Sequence, residues 1–128
     1  YLHRGGRIGR ASKLLGQALN FKPIIHFEDG VVASGGKIRG REEVIERMKF
    51  LAPIVVEKSI TDHIFIWHTR YLDAANELLE IMEKHNSSGK EIRIQEAGPV
   101  IGTHIGPKSL GFTYIGEYKK KWLQKMKK

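Results

Sequence analysis

The stretch His63-Ile64-Phe65-Ile66-Trp67-His68 is apolar on both alternating faces, as expected of a central strand covered on at least one side. Beyond it, Leu72, Ala75, Leu78, Leu79 and Met82 recur at helical spacing, and Asn86 and Gly89 end that helix. Ile92 and Ile94 then alternate with Glu91, Arg93 and Gln95, the pattern of a strand with one wet face. Upstream, Ile24, Ile25 and Phe27 lead into Glu28-Asp29-Gly30, and Val31, Val32 and Ala33 return. That pattern predicts a hairpin, because Asp-Gly accepts the positive φ of a tight turn. Ser34-Gly35-Gly36 interrupts the returning strand and predicts a bulge before Lys37-Ile38-Arg39. A helix is predicted from about Arg41, with Glu42 and Glu43 at its positive end, Val44, Ile45, Met48 and Leu51 as its buried stripe, and Pro53 as its stop. Leu14, Leu15, Ala18 and Leu19 predict a shorter helix ending near Asn20, Gly111 to Ile115 a last strand, and Tyr118 to Lys128 a basic helical or frayed tail. Helices alternating with strands around one hairpin predict an α/β fold, a two-layer sandwich with a mixed β-sheet.

A chain of 128 residues, 41% hydrophobic and 28% charged, has the size of one globular domain. It contains no cysteine, which excludes a disulfide framework, a thiol nucleophile and thiolate zinc sites. No apolar run approaches the ~18 residues of a membrane span, and no signal-like segment opens the chain, so a cytoplasmic location is expected. There Asn86-Ser87-Ser88 is a chance glycosylation match. Tyr1 in place of an initiator methionine leaves open that the chain is a piece of a longer one.

The net charge of +8 points to an anionic partner. Its distribution narrows the choice. Residues 1–13 carry +4 and residues 119–128 carry +6, which leaves −2 on the 105 residues between. A nucleic-acid module spreads its cations over one face and interleaves aromatics, so charge confined to the ends weighs against that reading, which is kept as the alternative.

Two enzyme motifs are nearly present. Gly102 to Ser109 has the first glycine, the lysine and the serine of a phosphate-cradling loop, but Pro107 replaces the second glycine and has no N–H to offer a phosphate. The same proline breaks a Gly-x-Ser-x-Gly nucleophile elbow around Ser109. No catalytic residue is therefore expected. The histidines form no metal site by spacing: His63 and His68 are five apart on one strand and face opposite sides. His3, His26, His63, His68 and His85 read as surface or partner-satisfied residues. His104 lies between Thr103 and glycines, where N–H groups, a hydroxyl and an imidazole can converge on a small anion. A loop whose glycines and prolines only shape the backbone is the plainer account. Arg7 and Arg10 among glycines are either solvated or a clamp for carboxylate or phosphate. Trp122, Leu123 and Met126 share a helical face among six lysines, suited to an anionic membrane surface or to a solvated helix with one packed aromatic.

Four stretches, in this order, resemble the second half of a DegV-family protein: Tyr1-Leu2-His3-Arg4-Gly5-Gly6-Arg7-Ile8-Gly9, Lys22-Pro23-Ile24-Ile25 with Glu28-Asp29-Gly30, Lys37-Ile38-Arg39-Gly40-Arg41, and Gly98-Pro99-Val100-Ile101-Gly102-Thr103-His104-Ile105-Gly106-Pro107. The resemblance implies the C-terminal domain of a bacterial fatty-acid-binding protein, spanning residues 1–118 and followed by a basic tail at 119–128. Such proteins hold one long-chain fatty acid between two α/β domains, and alongside a fatty-acid kinase they present its carboxylate for phosphorylation. By the resemblance, His104 lies beside the carboxylate, with Thr103 as a further donor. Leu14, Leu15, Ile24 and Ile101 are acyl-pocket wall or plain core. Arg7, Arg39 and Arg41 lie toward the kinase. The family's carboxylate-binding hydroxyls come from an N-terminal domain, so this chain is expected to hold half of a site. No metal and no cofactor is expected; the expected partners are a long-chain fatty acid, a fatty-acid kinase and the remaining domain.

Overall fold

The computed structural model describes residues 21–101, 107–119 and 121–124. The short helix expected to end near Asn20, together with Arg7, Leu14, Leu15, Thr103 and His104, lies outside the described residues.

Strands β1 (Phe21–Glu28) and β2 (Val31–Arg39) form the expected hairpin, with Asp29 at φ 51° and Gly30 at φ 79° in its turn. Ile24 pairs with Gly36 and Ile25 with Ser34, so Gly35 is the extra residue of a bulge within Ser34-Gly35-Gly36. Gly40, at φ 84°, turns the chain into helix α1 (Arg41–Lys58). Pro53 was expected to end this helix, yet α1 continues for another turn and a half past it. The missing N–H costs about 3 kcal/mol. Burial offsets it: Ala52, Val55 and Val56 are almost wholly enclosed, and a valine so buried is worth about 1.5–3 kcal/mol.

Strand β3 (His63–Thr69), helix α2 (Leu72–Lys84) and strand β4 (Glu91–Glu96) follow. β3 and β4 are parallel neighbours, and α2 supplies the crossover that parallel pairing requires. Strand β5 (Ser109–Thr113) pairs antiparallel with the other side of β3, giving the order β4-β3-β5. The sheet is therefore mixed and β3 is central. β5 begins two residues before the Gly111 start expected from sequence, because Thr69 pairs with Ser109. Ile115 leaves the ladder and accepts the Ile60 N–H through its carbonyl at 2.8 Å, while Gly116 bridges Ser59.

Ile64 and Ile66 of β3 are buried against Met48, Leu51, Ala52, Val55 and Val56 of α1 and Ala75, Leu78 and Met82 of α2. Leu72, expected on the inner stripe of α2, is exposed instead, and Ala74 is buried. On the opposite sheet face, among the described residues, His63 and Phe65 are exposed and Trp67 is half-buried, and His63 Nδ1 lies 3.1 Å from Glu91, which also pairs with Arg93. The helices packed on one sheet face make two layers. The helices are tied by Lys49, whose ammonium lies 3.1 Å from Glu77. Arg47 is buried in α1, its Nε donating to Glu43 Oε1 at 3.1 Å.

A short helix α3 (Lys121–Gln124) closes the described chain. Its Trp122, only 7% exposed, belongs to the main core and meets Tyr118 edge to face at 6.1 Å. Tyr118 in turn lies 5.7 Å from His26 of the hairpin. The tail thus contributes core packing despite its lysines, with one packed aromatic as its sequence allowed. No helix among the described residues is long and apolar enough to cross a membrane.

Candidate functional site

In open α/β sheets ligands bind beyond the carboxyl ends of parallel strands. Here those ends are Thr69 of β3 and Glu96 of β4. The glycine-proline stretch leaves from this end and returns at Pro107-Lys108-Ser109. Both of its ends are fixed to two consecutive residues of the central strand. Ala97 N–H donates to the His68 carbonyl at 2.9 Å and Lys108 N–H to the Thr69 carbonyl at 2.6 Å. The Thr69 hydroxyl accepts the Ser109 N–H at 2.9 Å, and His68 Nδ1 accepts the Tyr71 N–H at 2.9 Å. His68 and Thr69 are themselves buried. A buried polar pair with its hydrogen bonds made holds geometry, because losing either partner strands a desolvated group at about 1–3 kcal/mol.

Around this anchor the surface is mixed. Leu72, Val100 and Ile101 are 53%, 71% and 51% exposed. Arg70 and Lys108 are exposed cations, and the Lys108 ammonium lies 5.9 Å from the Tyr71 ring centroid. Apolar side chains beside cations suit a ligand that is itself anionic at one end and apolar along the rest.

Of the residues singled out from sequence, Ile101 is here, exposed in the helical backbone at 99–101 that leads into the stretch carrying Thr103 and His104. Ile24 is half-buried in β1 and packs against the core cluster. Arg39 ends β2 and Arg41 opens α1, so both backbones sit at the corner made by Gly40. His68 is partner-satisfied, and it is buried whereas His63 is exposed, as period-two alternation requires. Sequence reasoning missed Thr69 and Arg70, and met Lys108 only as the lysine of the phosphate-cradling loop that Pro107 breaks. Of the first two, only Thr69 carried a signal, as a polar residue closing an apolar strand.

At the opposite end of the sheet a depression of about 420 Å³ is lined by residues including Pro53, Ile54, His85 and Lys90. The Lys90 ammonium donates to the carbonyls of Val56 and, at 2.8 Å, Ser59, capping the C-terminal end of α1. Asn86 of the sequon spends its amide on the Lys90 backbone, accepting at 2.9 Å and donating at 2.6 Å. Among the described residues no cluster of three metal-ligating side chains exists.

These features define a two-layer α/β domain that carries a glycine-rich connection at the carboxyl ends of its parallel strands. The chain belongs to the DegV family: residues 1–117 match the family described as "Uncharacterised protein, DegV family". A DegV domain-containing protein of Halalkalibacterium halodurans is 34% identical over 117 residues, covering 91% of this chain and 41% of that protein. One from Clostridium acetobutylicum is 35% identical over 117 residues, covering 91% of this chain and 40% of that protein. The chain thus spans about two fifths of the length of the curated relatives it matches. Among solved structures, a DegV family protein from Thermus thermophilus, described as fatty-acid-binding, superposes with a TM-score of 0.65 at 32% identity, covering 87% of this chain and 40% of that one. A fatty-acid-binding DegV family protein from Streptococcus agalactiae gives a TM-score of 0.68 at 29% identity, covering 87% of this chain and 39% of that one. The expected α/β class and mixed sheet are borne out by the fold and by these structures.

Proposed function

We propose that this chain is the C-terminal lipid-binding domain, residues 1–118 with a basic tail, of a cytoplasmic fatty-acid carrier that has no catalytic residues of its own. The carrier holds a long-chain fatty acid and presents its carboxylate to a fatty-acid kinase. The observation that carries this reading is the meeting, at the carboxyl ends of β3 and β4, of an anchored glycine-proline connection with exposed apolar and cationic side chains. The fatty-acid binding described for two structural relatives supports it. In this reading His104 and Thr103 contact the carboxylate, Ile101 with Leu14, Leu15 and Ile24 borders the acyl chain, and Arg7, Arg39 and Arg41 face the kinase. The rival reading, a nucleic-acid-binding domain, has only the net charge behind it.

Burying a carboxylate is tolerable only when several donors replace its water. We place the remaining donors in a further domain, so this chain holds half of the site. Each methylene left in water forfeits about 0.8 kcal/mol. Calorimetric titration of palmitate tests the reading. The full-length protein should bind one equivalent, His104→Ala should weaken binding about tenfold without lowering the unfolding temperature, and the 128-residue chain alone should bind poorly. Binding by the chain alone at full-length affinity would refute the half-site, and absence of binding by the full-length protein would refute the carrier.

A further inference from the structure

Three non-glycine residues of the described chain hold left-handed backbone: Asp29 at φ 51°, Arg70 at φ 50° and Lys108 at φ 59°. Asp29 needs no further cause, since a two-residue hairpin turn asks for that conformation and Asp supplies it. Arg70 and Lys108 are different. Long side chains occupy this region rarely, and glycine or asparagine would hold the same backbone at lower cost. The two residues are also neighbours. The Lys108 N–H donates to the Thr69 carbonyl, the carbonyl of the peptide bond that leads into Arg70, at 2.6 Å. Both are exposed, both are cationic, and neither joins an ion pair among the described residues. Glu96 and Asp73, the acids nearest in sequence at this end, do not pair with them among the described residues.

Strained backbone persists where the surroundings over-determine it, and it concentrates at functional sites. Here the surroundings are the buried His68-Thr69 anchor, which holds two positive charges at the sheet end where exposed Leu72 follows Arg70 by two residues and exposed Val100 and Ile101 follow Ala97, itself bonded to His68. We propose that Arg70 and Lys108 form a cation pair that binds the anionic head of the amphiphile, with the three exposed apolar residues as the beginning of its apolar bed. This rests on the carrier reading and adds two binding residues to it.

The test separates charge from backbone. In the full-length protein, Arg70→Asn and Lys108→Asn remove the cation while keeping a residue that tolerates left-handed backbone. Each should weaken palmitate binding about tenfold, while the unfolding temperature holds or rises by about 3 °C. Lys108→Arg should retain affinity, and methyl palmitate, which has no charge, should bind wild type and the asparagine variants alike. Wild-type binding of palmitate with unchanged affinity in both asparagine variants would overturn the cation pair and leave the carrier standing. Loss of affinity in Lys108→Asn that tracks a lowered unfolding temperature would also overturn it. Failure of the wild type to bind palmitate would overturn both readings.

Discussion

Replacing Gly111 by alanine should destabilise the domain through a single contact. Gly111 stands opposite Trp67 in the β3–β5 ladder, and the indole lies directly over it. A Cβ on Gly111 would fall 2.2 Å from Trp67 Cε2, 2.3 Å from Cζ2 and 2.4 Å from Nε1. Carbon atoms rest at about 3.5–4.0 Å, so the ring must lift by more than an ångström. A tryptophan buries roughly 150–250 Å². If lifting exposes a third of that, about 60 Å², the loss is roughly 1.5 kcal/mol at 25 cal/mol per Å². Lost dispersion and off-rotamer strain add to it, whereas alanine in a strand recovers about 0.5–1 kcal/mol relative to glycine. The expected net cost is about 1–2 kcal/mol, read from urea unfolding followed by circular dichroism. A double-mutant cycle isolates the cause: with Trp67→Ala already present, Gly111→Ala should be neutral or stabilising, a coupling of about 2 kcal/mol. Equal cost in both backgrounds, or no cost with Trp67 intact, would refute the packing argument.

Trp122→Ala should cost about 3–4 kcal/mol in the same assay, because it opens a hole in the main core; a change under about 1 kcal/mol would mean the tail is only surface. Tyr114 donates its hydroxyl to the Glu117 carbonyl at 2.6 Å, and burial pushes its pKa up to about 12. Raised above its unfolded value of about 10, this pKa contributes stability that is present below pH ~10 and lost as the pH rises toward about 12. Tyr114→Phe should lose about 1 kcal/mol at neutral pH and flatten the alkaline decline; a decline as steep as in wild type would place its origin elsewhere.

How much of this was legible depended on the range of the cause. The hairpin turn at Asp29-Gly30 and the bulge at Gly35 follow from local chemistry, and both appear where the sequence put them. The alternation of Ile92 and Ile94, half-buried, with Glu91, Arg93 and Gln95, exposed, is equally local. Pro53 is not: its local preference to end a helix yields to the burial of Val55 and Val56, which depends on a sheet formed later in the chain. Trp122 was legible only as one aromatic among lysines, since what encloses it lies far away in sequence. The glycine-proline stretch from Gly98 to Pro107 announced itself by composition. Its anchor did not, because Thr69 and Ser109 meet only through strand pairing. The left-handed Arg70 and Lys108 carry no sequence signal at all, as neither residue type prefers that conformation.

The central strand joins stability and site in one element. Ile64 and Ile66 on its covered face are wholly enclosed, so substitutions there are paid in folding free energy. At its carboxyl end the burial continues into His68 and Thr69, whose polar atoms hold the two ends of the connection that returns to β5. Removing the Thr69 side chain would strand the partly buried Ser109 N–H at one end of the connection, and removing that of His68 would strand the partly buried Tyr71 N–H beside it. Loss of binding after such a substitution therefore cannot be assigned to the site alone. Arg70 and Lys108 escape this coupling. Arg70 directly follows Thr69 and Lys108 joins the anchor through its backbone N–H; both side chains are exposed, and both residues hold a conformation that others adopt more cheaply. At these two positions relief of strain and loss of charge act on different observables, so binding can be separated from folding next to the very residues where the two are inseparable.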